Sequence, residues 1–229
     1  MKSRRYQKMR QSLVRGIVLS LLIVSGSRAE GVGKKSAAEG TPTRAIQDLD
    51  KMLDDYKTNP TTPEDQKNNE EVKKKVLHGT FDIAELCRLA LANHWQKMSE
   101  KDRKYFVDLL TRLLEQRAVF SKEQSQHKNK ARGGADYYVT YKGDRFLNDE
   151  KTKALTQSRV RVPSENIEID LDYKLKKVGA IWKIFDVIVD GASLLDNYRY
   201  QFDKIIKKDG YADLIRRMES KLKELEKKG

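Results

Sequence analysis

The sequence predicts an α+β protein in which helices pack on a four-stranded antiparallel sheet. Three observations carry this. Apolar residues recur at helical spacing over residues 46–114. The period changes to two over residues 137–190, where the connections are short enough to make neighbouring strands antiparallel. Helical spacing then returns over residues 192–225.

The chain opens with a basic segment. Residues 1–29 hold seven cations and no acid around the apolar run Gly16–Val24, and Ser27-Arg28-Ala29 offers a cleavage site. This reads as a secretory signal cleaved near Ala29, because the apolar run is well short of the ~20 residues a membrane span needs. Ser3-Arg4-Arg5 begins a twin-arginine pattern, but Gln7 and Lys8 stand where an apolar pair is expected. The net charge is +13, and removing the seven leading cations leaves +6. That charge is too diffuse to call for nucleic acid. The mature protein is expected to be exported.

Residues 30–43 are rich in Gly, Ser, Ala and Lys and read as a flexible lead-in to a single domain over 44–227. Ile46, Leu49, Met52, Leu53 and Tyr56 share one face of the first helix. Thr62-Pro63 with Glu64 and Asp65 starts a second, polar helix that Gly79 ends. Residues 81–95 form a third, and Ser99 to Asp102 starts a fourth with the stripe Phe106, Leu109, Leu110, Leu113 and Leu114. A polar loop, Ser121–Asp136, follows, with Gly133-Gly134 as its hinge.

The first strand contains a turn at Lys142-Gly143-Asp144, and residues 154–162 make the second. The third places Ile167, Ile169, Leu171, Tyr173 and Leu175 on one face and Glu168, Asp170, Asp172 and Lys174 on the other. The fourth is apolar on both faces: Ile181, Phe185, Val187 and Val189 on one side, Trp182, Ile184 and Ile188 on the other. A helix from Ala192 to Lys208, capped by Gly210, and a last helix from Tyr211 complete the chain.

Catalytic and metal motifs are missing. His78, His94 and His127 have no metal-ligand spacing, and the single cysteine, Cys87, cannot form an internal disulfide or a thiolate zinc site. No metal or cofactor is expected. Asp186 and Asp190 fall on one side of the fourth strand and are a candidate acid/base couple; the competing reading makes both structural. Arg199 is a candidate phosphate grip or the partner of an acid of its own fold. The apolar surplus has two readings as well: an ordinary core around a strand buried on both faces, or a cavity for an apolar ligand.

A set of residues resembles the MlaC family, also called toluene-tolerance or ABC-transporter auxiliary proteins. Trp182-Lys183-Ile184-Phe185-Asp186-Val187, Gly191, Ser193-Leu194, Asn197-Tyr198-Arg199, Gln201-Phe202, Ile205, Gly210 and Leu214-Ile215 are similar to its C-terminal signature. Phe81-Asp82, His94-Trp95, Arg103, Phe106 and Leu113-Leu114 match its helices, and Leu171-Asp172-Tyr173 its strand. The resemblance implies a soluble periplasmic phospholipid carrier and no enzyme. The implied fold is a nuclear-transport-factor-two-like roll, a curved sheet and helices around an apolar pocket. The implied partners are phospholipid, an inner-membrane MCE-domain/ABC transporter complex and an outer-membrane lipoprotein complex. On this reading the lipid-binding pocket draws on Phe106, Leu110, Leu113, Leu114, Ile169, Leu171, Tyr173, Trp182, Ile184, Phe185, Val187, Val189 and Ala192. The rivals are a carrier of another hydrophobic ligand, such as a hopanoid, and an enzyme on the same roll with Asp186 as base.

Overall fold

The computed structural model describes residues 36–57, 60–117, 138–163 and 166–227. The expected signal segment 1–29, His127 and the Ser121–Asp136 loop with its Gly133-Gly134 hinge lie outside the described residues.

The architecture is α+β. Among the described residues five helices precede the sheet: α1 (Pro42–Asp54), α2 (Pro63–Thr80), α3 (Ile83–Leu91), the single turn α4 (Asn93–Gln96) and α5 (Glu100–Arg117). The sheet follows as β1 (Tyr138–Phe146), β2 (Lys153–Val162), β3 (Ile167–Val178), β4 (Ile181–Val189) and the short β5 (Ala192–Ser193), then α6 (Leu194–Asp209) and α7 (Tyr211–Glu226). The strands pair antiparallel in the order β1-β2-β3-β4-β5, so the sheet has five strands where four were expected. The fifth arises because Asp190-Gly191, both at positive φ, close a two-residue hairpin that pairs Val189 with Ala192. The helix expected from Ala192 therefore starts at Leu194, where the Ser193 side chain accepts from the Asp196 amide.

Local chemistry explains the other boundaries. α1 begins at Pro42, inside the expected lead-in, because Thr41 caps it and the proline takes the first turn. α2 has a reciprocal capping box between Thr62 and Asp65, and it runs past Gly79 to Thr80. The expected third helix breaks at Ala92, whose φ of 46° no helix can continue. The expected turn in the first strand is instead a β-bulge: the register slips between Tyr141 and Gly143, so β1 runs through to Phe146.

A second bulge sits in β4. Lys174 opposes Asp186 while Leu175 opposes Ile184, which leaves Phe185 as the extra residue. The bulge resets the alternation and corrects the expected faces. Trp182, Ile184, Val187 and Val189 lie on the face of Leu171, Tyr173 and Leu175, and Lys183, Asp186 and Ile188 lie on the other.

α1 crosses the first of these faces, held by Thr43 to Asp144 and by the Tyr141 hydroxyl to Asp50. The side chains of Lys176 and Asp186 point away from that face and meet Glu85 of α3 and the start of α6. β4 is thus enclosed from both sides, as its apolar sequence requires. Its outer edge is covered by β5 and by Phe81, which bridges Ile184 in parallel while the Asp82 amide donates to the Ile184 carbonyl at 2.8 Å.

Candidate functional site: the apolar interior

Among the described residues, thirty-two buried apolar ones form a core that runs from the α1 face of the sheet around β4 into the helical layer. The residues named from the sequence as pocket lining divide between its two parts. Leu171, Tyr173, Trp182, Ile184 and Val187 are buried on the α1 face, and Ile169 and Val189 are half-buried there. Phe185 is buried at the bulge.

Phe106, Leu110, Leu113 and Leu114 are buried in α5, but α5 packs on α2, α3 and α7 rather than on the sheet. Phe106 meets Phe202 edge-on at 5.4 Å and Tyr211 at 6.4 Å. Ala192 departs from the expectation. It is exposed, because it belongs to the β4–β5 hairpin rather than to a helix lying on the wall.

Polar groups are set into the apolar wall at a few places. Thr156 and Ser158 of β2 are almost fully buried on the α1 face. The Thr156 hydroxyl donates to Asp144 at 2.6 Å, the Thr43 hydroxyl donates to the same oxygen at 2.8 Å, and the Ser158 hydroxyl donates to the Leu171 carbonyl. The Trp182 indole N–H donates to the Gly40 carbonyl at 2.9 Å, and its ring lies 6.3 Å from that of Phe146. In the helical layer the Tyr211 hydroxyl is buried without a hydrogen-bond partner among the described residues, and burial pushes its pKa up to about 12.

The candidate catalytic groups are occupied by the fold. Asp186 is 1% exposed; it accepts from Lys174 Nζ at 3.0 Å, from the Ser193 hydroxyl and from the Leu195 amide. Asp190 accepts from the Asp170 amide, so each carboxylate holds its own turn. Arg199 donates to Asp196 and to the Leu89 carbonyl, the intramolecular alternative of its two readings. Cys87 is buried with its thiol pKa raised by desolvation, which suppresses the thiolate. His94 lies 3.0 Å from Asp203 and His78 2.8 Å from Glu115. Among the described residues no cluster of His, Cys, Asp and Glu could hold a metal ion. Among the described residues the interior presents mainly apolar surface.

Sequence reading missed both bulges, the Phe81 bridge and the Thr43–Asp144–Thr156 set. Asp190-Gly191 was a legible hairpin signal. Gly143 inside the first strand was a mark of the β1 bulge, whereas the bulge at Phe185 carries no comparable local mark.

The chain matches the family model described as MlaC protein over residues 47–220. It belongs to the MlaC family. The match begins within α1 and ends within α7, so it takes in every strand of the sheet. A similar fold is seen in a solved structure of a phospholipid-binding protein from Ralstonia solanacearum, in complex with a phospholipid. The two chains are 19% identical and superpose with a TM-score of 0.58 over 79% of this chain and 94% of the other. No curated protein matches the sequence. Among the described residues of this MlaC chain, no helix is long and apolar enough to cross a membrane.

Proposed function

We propose that this chain is a periplasmic carrier that binds a phospholipid in the apolar interior and shuttles it between outer and inner membranes. The observation that carries the reading is the MlaC match across the whole sheet and the helices around it. It is supported by the fold shared with a protein whose structure holds a phospholipid.

The physical case is one of solvent. A two-chain lipid has about 30 methylenes, each worth ~0.8 kcal/mol on leaving water, so it crosses an aqueous compartment only inside an apolar host. Leu175, Tyr173 and Phe106 are at most 2% exposed, so these parts of the wall are shielded from solvent. Acyl chains reach the interior by parting α1 from the sheet, where the contacts of Thr43, Asp50 and Gly40 hold the two together. The partners on this reading are an inner-membrane MCE-domain/ABC transporter complex and an outer-membrane lipoprotein complex. On this reading the N-terminal signal directs export and is removed near Ala29, and the chain binds and releases its cargo unchanged.

Native mass spectrometry of the purified exported protein, followed by lipid extraction, tests this. The expected result is a copurifying phospholipid. Leu171→Glu should lower occupancy, because an unpaired carboxylate on the inner wall costs several kcal/mol or must take up a proton. Arg161→Glu, at an exposed position of β2, should not. Equal occupancy in both variants, each folded by circular dichroism, would remove the sheet wall from the site. A parent that never carries lipid under gentle extraction sinks the carrier reading, and a sterol-like extract replaces the cargo.

A further inference from the structure

The β1–β2 turn and the β3–β4 hairpin lie side by side at one end of the sheet, joined by the Lys177 amide donating to the Thr152 carbonyl at 2.8 Å. Four large apolar side chains are exposed there: Phe146 at 44%, Leu147 at 38%, Val178 at 42% and Ile181 at 54%. Val178 and Ile181 are opposed across the hairpin end.

One rung behind them the pairing places three lysines in a row. Lys153 of β2 opposes Lys176 of β3, which opposes Lys183 of β4. Like charges directly opposite one another destabilise a sheet, so the row costs stability that the contacts of its members with the helices offset only in part. Glu85 reaches Lys176 at 3.3 Å, and Lys183 donates to the His78 carbonyl at 3.2 Å. Lys177 is exposed on the other face of the same end, and the Lys151 ammonium sits 5.7 Å from the centre of the Phe146 ring. Asp149 and Glu150 of the β1–β2 turn, Glu85, and Glu39 beside the Gly40 that Trp182 bonds are acids near this end, which carries five lysines.

We infer that this end of the sheet docks on an anionic lipid surface, with the apolar turn tips in the interface and the lysine rung against the head groups. Depth decides between a membrane and a flat protein partner. The tip pair and the lysine rung are two residues apart along their strands, about 7 Å at ~3.3 Å per residue. That matches the roughly 5–10 Å over which apolar side chains enter the head-group boundary while cations stay outside it. The surface stands on geometry and charge, independently of what the interior carries.

The test is flotation of the exported chain with vesicles of phosphatidylcholine alone and of equal parts phosphatidylcholine and phosphatidylglycerol. The parent should bind the anionic vesicles, and binding should weaken as salt rises. Lys153→Gln and Lys183→Gln should each weaken it roughly fivefold. Ile181→Ser should weaken it while leaving part of the salt dependence. Controls of like chemistry elsewhere are Lys104→Gln on α5 and Tyr200→Ser on α6, the latter side chain 67% exposed; both should bind like the parent. The variants share the parent's N-terminus, so their differences report the sheet end. Failure to bind anionic vesicles at low salt overturns the proposal and leaves the patch to a protein partner. Equal losses in the controls and the rung variants overturn it too, since charge anywhere would then suffice. Lipid content, read separately by mass spectrometry, is unaffected by either outcome.

Discussion

Asp186 shows how much of a family motif can be architecture. Its carboxylate is removed from water and satisfied by an ammonium, a hydroxyl and an amide, which together tie β3, β4, the β5 hairpin and the first turn of α6 into one corner. Asp186→Ala leaves Lys174 without its counter-charge and the Leu195 amide without an acceptor. The expected cost is about 3 kcal/mol, read from urea denaturation, with the shape of the circular dichroism spectrum retained. Ala92 makes the opposite case. With φ at 46° and ψ at −118° it occupies a region that glycine tolerates and alanine resists. Ala92→Gly should raise stability by about 1 kcal/mol, and an unchanged or lower denaturation midpoint would show that the break between α3 and α4 is unstrained.

At the scale of elements, β4 and α1 set the interior. The Phe185 bulge turns a strand of uninterrupted apolar residues into one whose two faces serve different partners: Trp182, Ile184 and Val187 toward α1, and Asp186 toward α6. α1 buries Ile46 and Leu49 and is fastened to β1 and β2 by Thr43, Asp144 and Thr156. Thr43→Val keeps the shape and removes the hydroxyl that Asp144 receives. It should lower global stability by about 1 kcal/mol. Its more telling effect is local: hydrogen exchange in the α1 amides should speed up relative to those of α5, because one of the contacts closing α1 on the sheet is gone. Uniform protection in both helices would mean that apolar burial alone holds α1 in place.

For the whole molecule, stability should be flat across neutral pH and fall at both ends. Hydrogen bonds from Lys57 hold the Asp65 carboxyl down at about 2, and those from Arg159 and Lys142 do the same for Asp170. A depressed folded pKa gives stability that is present above the ordinary carboxylate range and lost as pH falls toward 2. Tyr56 and Tyr211 are pushed up to about 12, chiefly by burial. Their contribution is complete below the unfolded phenol value near 10 and is lost as pH rises from there toward 12. Urea midpoints across the range should therefore show a plateau between about 4 and 10. Asp170→Asn should flatten the acid limb, and an acid limb unchanged in that variant would remove Asp170 from the account.

Periodicity made the helices and strands legible, because 3.6- and 2-residue repeats of apolar side chains follow from which face meets the core. The α+β order, the apolar face of β3, the buried Cys87 and the cap at Gly210 could be read in this way. The order of residues around Trp182–Val187 and Asn197–Arg199 also made the MlaC family legible before any coordinates. Folding settled what no local pattern encodes. A bulge costs one residue of register and leaves composition untouched, so the true faces of β4 appear only once β3 is paired with it. The division of the apolar stripe of α5 from the sheet wall follows from which helices cover it, and that is a long-range choice. The lysine row across β2, β3 and β4 joins positions 153, 176 and 183, which only strand pairing brings to one rung.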